Sequence, residues 1–228
     1  MGGTLQKLCL YNVLLLFSCG GFAQHGQLVR LGFRPLYNNE TLQPGKYYYS
    51  ETQKDSLSFS TFRMYLSGFR FYDKGKMVHA AANSYYLIDI NDPKSLNRQL
   101  EIPNGLAYDE IRFLFGIDDK TNNEGIGSGD LDPSKGMYWA WQTGYINMKL
   151  EGTTKPGKEF QFHLGGFLKP NASFQEISLK TSASDNTIGI DIAKYSNSFS
   201  MNDIPMIMSP GEKAVQLSQK AALMFSLL

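Results

Sequence analysis

Hydrophobic and polar residues alternate with a period of two along much of the chain. Alternating runs occur at residues 28–33, 57–66, 69–72, 107–115 and 159–164. A period of two is typical of strands that bury one face and expose the other. Turn residues such as those at 73–76 separate these short runs. The pattern therefore predicts an all-β fold, an antiparallel β-sandwich with long loops.

The carboxyl-terminal part of the chain carries a helical pattern instead. Apolar residues recur there at the spacing of one helix face, at Ala214, Leu217, Ala221, Met224 and Phe225. Upstream, Ser209 and Glu212 have the spacing of a capping box, with Pro210 at the first helical position. We therefore expect a C-terminal helix that begins next to Ser209 and packs on the sheets.

The amino-terminal segment predicts export. Residues 8–17 form an apolar stretch behind Lys7, and the small residue Ala23 fits a signal-peptidase site. We expect a signal peptide at residues 1–23 and one domain at residues 24–228, because neither a linker nor an internal repeat divides the rest. The protein is then periplasmic, secreted or held at the cell surface.

A second reading of the leader concerns membrane anchoring. Residues 16–19, Leu-Phe-Ser-Cys, resemble a bacterial lipobox, so the alternative is a lipoprotein signal that ends before Cys19, with lipid attached to that cysteine. The only cysteines are Cys9 and Cys19. A domain that begins at residue 24 has no disulfide, and at this length it does not need one to stabilise its core.

Composition and motifs exclude several functions. The formal net charge of +1 gives no basic field for nucleic acid. The chain has no phosphate-binding loop and no His-Glu-x-x-His pair, and Ser128 does not sit in a Gly-x-Ser-x-Gly elbow. We therefore expect a protein that is not an enzyme. The 13 Tyr, 15 Phe and 2 Trp favour strands.

Residues 118–132 gather carboxylates and amides in a glycine-rich loop. Oxygen ligands of this kind suit calcium, and the candidates are Asp118, Asn122, Asp130 and Asp132. The spacing is not that of an EF-hand, and acidic glycine-rich loops are also common as solvated turns. Both interpretations stay open.

Three methionines near the carboxyl terminus are possible soft ligands for copper. They are Met201, Met206 and Met208. Scattered methionines in a proline-containing loop more often fill gaps in a core, so the sequence favours a packing role for all three.

Both tryptophans lie in residues 136–152. The second half of this segment alternates, with Ile146, Met148 and Leu150 on an apolar face and Asn147, Lys149 and Glu151 towards solvent. An unbroken alternation would put Trp139 and Trp141 on the polar face. Either Gly144 carries a bulge or bend that returns them to the core, or they are exposed; periodicity favours the core.

This segment resembles the MbnP family of exported bacterial copper proteins, which are associated with methanobactin gene clusters and related to MopE and CorA. The strongest resemblance is the pattern Gly-Met-Tyr-Trp-x-Trp-x-x-Gly-Tyr at residues 136–145. Further matching motifs lie at residues 62–67, 86–89, 116–122, 131–133, 163–166 and 209–211.

The resemblance implies a β-sandwich that binds one copper ion through histidine and through a tryptophan oxidised to kynurenine by a partner di-haem protein related to cytochrome c peroxidases. Trp139 or Trp141 would be the modified residue and His163 the imidazole ligand. A second histidine ligand would have to be His79 or His25, the other two histidines of the chain.

Two functions therefore compete. The first is copper binding or transfer outside the cytoplasm, indicated by Trp139 and Trp141 beside the motif of His163. The second is a surface glycan- or protein-binding module that works without metal, indicated by the aromatic content and by two indoles that the alternation would expose.

Overall fold

The structure is a computed structural model that describes residues 26–142, 144–181 and 186–228. Its strands are β1 (Gly26–Tyr37), β2 (Glu40–Thr41), β3 (Tyr47–Ser50), β4 (Asp55–Asp73), β5 (Lys76–Ala80), β6 (Tyr85–Asp89), β7 (Asn97–Pro103), β8 (Glu110–Phe115), β9 (Tyr138–Trp139), β10 (Gly144–Thr154), β11 (Glu159–Gly165), β12 (Gln175–Lys180), β13 (Asn186–Asp191), β14 (Met206–Ile207) and β15 (Phe225–Leu227). The α-helices are α1 (Asp119–Glu124), α2 (Ile192–Ser196) and α3 (Glu212–Ala221).

Within the described residues, the strands form two sheets that pack as a sandwich. The small sheet has the order β15-β13-β1-β2, with β7 also paired to β1. The large sheet has the order β12-β8-β4-β10-β11-β14; β3, β5 and β6 also pair with β4, and β9 pairs with β10. The predicted all-β sandwich is confirmed. The pairings are mostly antiparallel, but β1 with β13 and β11 with β14 are parallel.

The main core lies between the two sheets, and aromatic rings fill much of it. Phe69 of β4 stacks on Phe113 of β8 at 5.0 Å between ring centroids, and Phe33 of the small sheet approaches Phe69 at 6.5 Å. The long strand β4 supplies residues to this core along most of its length, which is why its alternating pattern is so regular in the sequence.

The large sheet has a second buried cluster on its opposite side, here called the outer face. This cluster consists of Tyr65, Leu87, Ile117, Met137, Trp139, Tyr145 and Ile146. The chain segment 116–142 covers the cluster and is held by hydrogen bonds. Tyr65 donates its hydroxyl to the carbonyl of Asp130 at 2.8 Å, and the backbone N–H of Gly127 donates to the Tyr145 hydroxyl at 2.8 Å.

A bulge in β10 sends its side chains to different faces than the alternation predicts. The register with β11 shifts between Ile146 and Met148, so Ile146 joins the outer cluster while Met148 and Leu150 face the main core. The prediction that these three share one face was wrong for Ile146. Asn147 was expected in solvent but is buried. Its Oδ1 accepts a hydrogen bond from the backbone N–H of Ile117, and its Nδ2 donates to the Ser173 hydroxyl, so the amide keeps hydrogen-bond partners there.

The predicted closing helix is present as α3, with Ala214, Leu217 and Ala221 buried. The prediction was wrong for its last two positions, because Met224 lies in a 3-10 turn after α3 and Phe225 begins β15. Its start differs from the prediction, because Gly211 is the N-cap and no side chain caps the helix, so Ser209 forms no capping box. Among the described residues, no helix has the length and apolar character of a membrane-crossing segment. The predicted signal peptide, both cysteines and His25 lie outside the described residues.

Candidate metal centre

His163 lies on β11 and points to the outer face of the large sheet. It is opposite Lys149 of β10, which is in turn opposite Arg63 of β4. The His163 side chain is 6% exposed, and its Nε2 is 2.6 Å from Oε1 of Glu151. Histidine and carboxylate thus meet across two neighbouring strands.

Burial fixes the protonation of this pair. Desolvation lowers the pKa of His163, and Lys149 lowers it further, whereas Glu151 acts in the opposite direction without cancelling them. Burial would raise the pKa of Glu151, but hydrogen bonds with His163 and Thr61 outweigh it, and the pKa is lowered. A neutral imidazole beside a carboxylate must carry its proton on Nε2, because the carboxylate can only accept.

The resulting tautomer is suited to bind a metal ion. With the proton on Nε2, the lone pair of His163 is on Nδ1, which has no hydrogen-bond partner among the described residues. Histidine ligands typically donate their second ring N–H to a carboxylate, which orients the ring and increases its basicity as a ligand. Glu151 has that position here. The alternation along β10 predicts that Glu151 faces solvent, and nothing in the sequence indicates its contact with His163.

Glu151→Ala is expected to lower the pKa of His163 further and to end the dominance of the Nε2–H tautomer, because Glu151 is the group that raises this pKa and accepts this proton. Long-range nitrogen–proton NMR of the imidazole during a pH titration measures both quantities. Glu159→Ala, at an exposed position of β11, the strand that carries His163, is the matched control. An unchanged tautomer in Glu151→Ala would contradict this assignment.

The two tryptophans have different environments. Trp139 lies in β9, which forms a hairpin with the first residues of β10, and it is only 7% exposed. Trp141 lies in the turn of the hairpin and is 65% exposed. Their ring centroids are 5.8 Å apart. The expected core location therefore holds for Trp139 and is wrong for Trp141.

Trp139 lies on the same face as His163. A Cβ atom built on Gly165 would be 2.5 Å from Cζ3 and 3.0 Å from Cη2 of Trp139, so the six-membered ring of the indole covers Gly165. Gly165 follows His163 by two positions in β11 and therefore points to the same face. The structure thus brings Trp139 and His163 to adjacent positions of one surface.

Trp139 also lines a pocket of about 220 Å³. The wall continues with Gln142, Gly166, Asn171 and Pro210. A pocket of this size can admit a small ion with its ligands, although it is below the volume of typical organic-ligand sites.

His79 lies far from this centre. It pairs with Phe71 near the other end of β4, and its ring is 6.0 Å from the Phe71 ring, on the side of the main core. Arg63, which is level with His163, precedes Phe71 by eight residues. At about 3.3 Å per residue this separation is roughly 26 Å. The structure therefore does not bring His79 and His163 together.

The four residues predicted as calcium ligands all make hydrogen bonds or ion pairs with other groups of the chain. Asp118 caps α1, Asp132 caps the turn that follows it, and Asp130 forms an ion pair with Arg98 at 2.8 Å. Asn122 is buried and donates its amide to two backbone carbonyls. In the part of the chain that the structure describes, no three His, Cys, Asp or Glu residues form a group that could hold a metal ion.

The three methionines, like the two tryptophans, differ in their exposure to solvent. Met201 is 5% exposed and fills the core, as expected. Met206 and Met208 are 55% and 41% exposed, so the packing role predicted for them was wrong. A short sequence with a proline and three methionines does not reveal that its last part forms an edge strand beside β11.

Comparison with known proteins identifies the family. The family model MbnP matches residues 26–209. A solved structure, MbnP from Methylosinus trichosporium, superimposes with a TM-score of 0.60 at 16% sequence identity, covering 82% of each chain. No curated protein sequence matches. At this identity the structural match shows a common fold, while the family model covers most of the chain, and the chain belongs to the MbnP family.

Proposed function

We propose that this protein is an exported, methanobactin-associated copper-binding protein that is not itself an enzyme and that buffers or delivers copper outside the cytoplasm. Its copper ligands are His163 and an oxidised Trp139. The observation that carries the proposal is the placement of the Trp139 six-membered ring over Gly165, next to His163 on one face of the large sheet.

Oxidation is what would make Trp139 a ligand. Indole offers a metal ion only an N–H group, whereas kynurenine has an amine and a ketone. The conversion cleaves the Cγ–Cδ1 bond of the indole with addition of two oxygen atoms, and water then releases Cδ1 as formate. A di-haem protein related to cytochrome c peroxidases would catalyse this oxidation with peroxide as the oxidant. The six-membered ring is retained, and it is this ring that lies nearest to Gly165.

The surrounding residues suit this chemistry. Glu151 holds the His163 ring in the tautomer that leaves the Nδ1 lone pair available, and no described residue bonds to that atom. Imidazole nitrogen is a common ligand of copper. The exposed Trp141 lies 5.8 Å from Trp139 between ring centroids, so a protein oxidant has surface to approach next to the buried indole.

His163→Gln is expected to remove most copper from protein produced together with the haem partner, while Trp139 is still oxidised, because the imidazole is a ligand and not the oxidant. The loss in affinity should be at least about 100-fold, the upper range for groups that only support a ligand. Intact mass and near-ultraviolet absorption report the oxidation, and metal analysis after gel filtration reports copper.

His79→Gln is the matched control, because His79 is distant from the centre, and it should keep both properties. An unmodified tryptophan in the wild-type protein after production with the haem partner, with no copper retained, would refute the proposal. Copper loss in His79→Gln but not in His163→Gln would show that the copper site lies at the other end of β4, beside His79.

A second candidate function is a metal-independent glycan- or protein-binding surface. It is favoured by two exposed apolar side chains at one end of the large sheet, Trp141 at 65% and Leu168 at 63%. This candidate is supported if Trp141→Ala abolishes binding to a surface ligand that a chelator leaves intact. A chelator-sensitive interaction excludes it.

A further inference from the structure

One edge of strand β7 pairs with no other strand of the described residues. The other edge pairs with β1 along its whole length, from Asn97 opposite Gly32 to Pro103 opposite Gly26. An unpaired edge leaves every second N–H and C=O group of a strand without a ladder partner, and such an edge is a template for pairing with another chain. The free edge of β7 can therefore take up a further strand.

The free edge presents the odd-numbered residues of β7. The Tyr86 hydroxyl, which belongs to the large sheet, donates to the carbonyl of Gln99 at 3.2 Å. Because the N–H and C=O groups of one residue point to the same edge, and those of the next residue to the other, Gln99 and Glu101 face away from β1. Both residues are exposed. The N–H of Gln99 and both backbone groups of Glu101 have no hydrogen-bond partner among the described residues and are available to a further strand.

A groove runs along this edge. Two adjoining cavities of about 530 and 380 Å³ share Tyr86 and Gln99, and together they are lined by all 7 residues of β7. The second cavity is also lined by the segment from His79 to Ala82 of the large sheet. At about 3.4 Å per residue, β7 gives the groove a length of roughly 20 Å, which accommodates an extended segment of about six residues.

The two ends of the groove carry different charges. The first cavity is lined by Arg30 and Arg98 and by no acidic residue among those described. Arg98 is paired with Asp130 at 2.8 Å, whereas Arg30 is exposed on β1 and forms no ion pair within the described part of the chain. The second cavity has the carboxylate of Glu101. An acidic side chain is therefore attracted to the start of β7 and repelled from its end.

We propose that this groove binds an extended segment of a partner protein, which adds to β7 as a further strand of the small sheet and places an acidic side chain against Arg30. Main-chain hydrogen bonds to Gln99 and Glu101 hold the segment, and the charges of Arg30 and Glu101 select its register. The groove shares no lining residue with the pocket beside Trp139. This interaction goes beyond the proposed function and needs no metal.

The test uses the full chain, produced without any partner, and fluorescein-labelled peptides that have the length of β7 and alternate threonine and valine. Because a strand can add in either direction, one peptide has aspartate next to its first residue and the other has aspartate next to its last. Fluorescence anisotropy should show saturable binding of one of them, unchanged by a chelator. The control peptides have lysine in place of aspartate and should bind at least about 10-fold more weakly, because they bring a like charge to Arg30.

Two protein variants test the role of Arg30 in this binding. Arg30→Gln should weaken binding of the aspartate peptide by roughly 10-fold and reduce its preference over the lysine peptide, because a close ion pair is lost. Arg34→Gln is the matched control and should change neither property. Arg34 is exposed on the same strand but lies beyond the residues of β1 that pair with β7.

Amide hydrogen exchange followed by NMR tests the addition of the strand itself. Saturating peptide should slow exchange of the Gln99 and Glu101 amides by at least about 10-fold, whereas the amide of Leu100, which faces β1, should change little. Binding that leaves Gln99 and Glu101 unprotected, or a failure of both aspartate peptides to bind, would overturn the proposal. A concentration-dependent dimer that protects these amides without peptide would overturn it too, because the groove would then be an interface between copies of this chain.

Discussion

Trp139→Phe is expected to abolish both kynurenine formation and copper retention in protein produced with the haem partner, whereas Trp141→Phe keeps both. The reason is geometric. Trp139 covers Gly165 beside His163, while Trp141 is in solvent on the turn of the β9–β10 hairpin. Loss of a direct ligand should weaken copper binding by about 100-fold or more, exceeding the usual cost of removing a supporting group.

Peptide mapping by mass spectrometry locates the oxidised residue in each variant, and metal analysis gives the copper content. Phenylalanine keeps an aromatic ring in the outer cluster, so circular dichroism and thermal unfolding should show little change in fold. If Trp141→Phe lost the modification and Trp139→Phe kept it, Trp141 would be the ligand precursor, and the role of the Gly165 contact would be wrong.

Buried amide side chains connect segment 116–142 to the start of β10, next to the hairpin that carries Trp139. The Asn122 side chain accepts a hydrogen bond from the backbone N–H of Tyr145 at 2.9 Å and donates to the carbonyl of Ile117 at 3.0 Å. Asn147 accepts from the backbone N–H of Ile117 at 3.0 Å. Buried amides that are hydrogen-bonded through both their oxygen and their nitrogen fix the chain around them, so the start of β10 and the hairpin before it are tied to the sheet.

The fold was largely predictable from the sequence, because strands of a sandwich bury one face. Residues 57–66 and 159–164 alternate as predicted, and both runs lie in strands of the large sheet. The C-terminal helix was predictable from spacing alone. Its start was not, because Ser209 and Glu212 have the spacing of a capping box, yet Gly211 is the N-cap.

The candidate site was predictable only in part. Periodicity and the motif indicated Trp139 and His163, but the bulge in β10 breaks the phase of the alternation and divides Ile146 from Met148. The contact of Glu151 with His163 depends on the register between two strands, which non-local packing decides. The same holds for Met206, whose position beside β11 follows from the parallel pairing of β14 with β11.

Gly165→Ala is expected to displace Trp139 and to remove copper retention while leaving the His163–Glu151 contact in place. An added Cβ would be 2.5 Å from Cζ3 of Trp139 and 2.9 Å from the carbonyl oxygen of Tyr145, and neither contact is tolerable without a shift. The backbone of β10 is held by its neighbours, so the indole has to move. Overpacking of this kind costs about 1–3 kcal/mol of unfolding free energy.

Gly32→Ala in the small sheet is the matched control, because its added Cβ would meet only the end of the Thr187 side chain at 3.2 Å. Tryptophan fluorescence reports movement of the indole, denaturant unfolding gives the change in stability, and imidazole NMR reports whether His163 still donates to Glu151. Full oxidation of Trp139 and full copper retention in Gly165→Ala would contradict the proposed geometry. Copper loss with an intact imidazole signal would show that the indole must lie over residue 165, next to His163, for the centre to form.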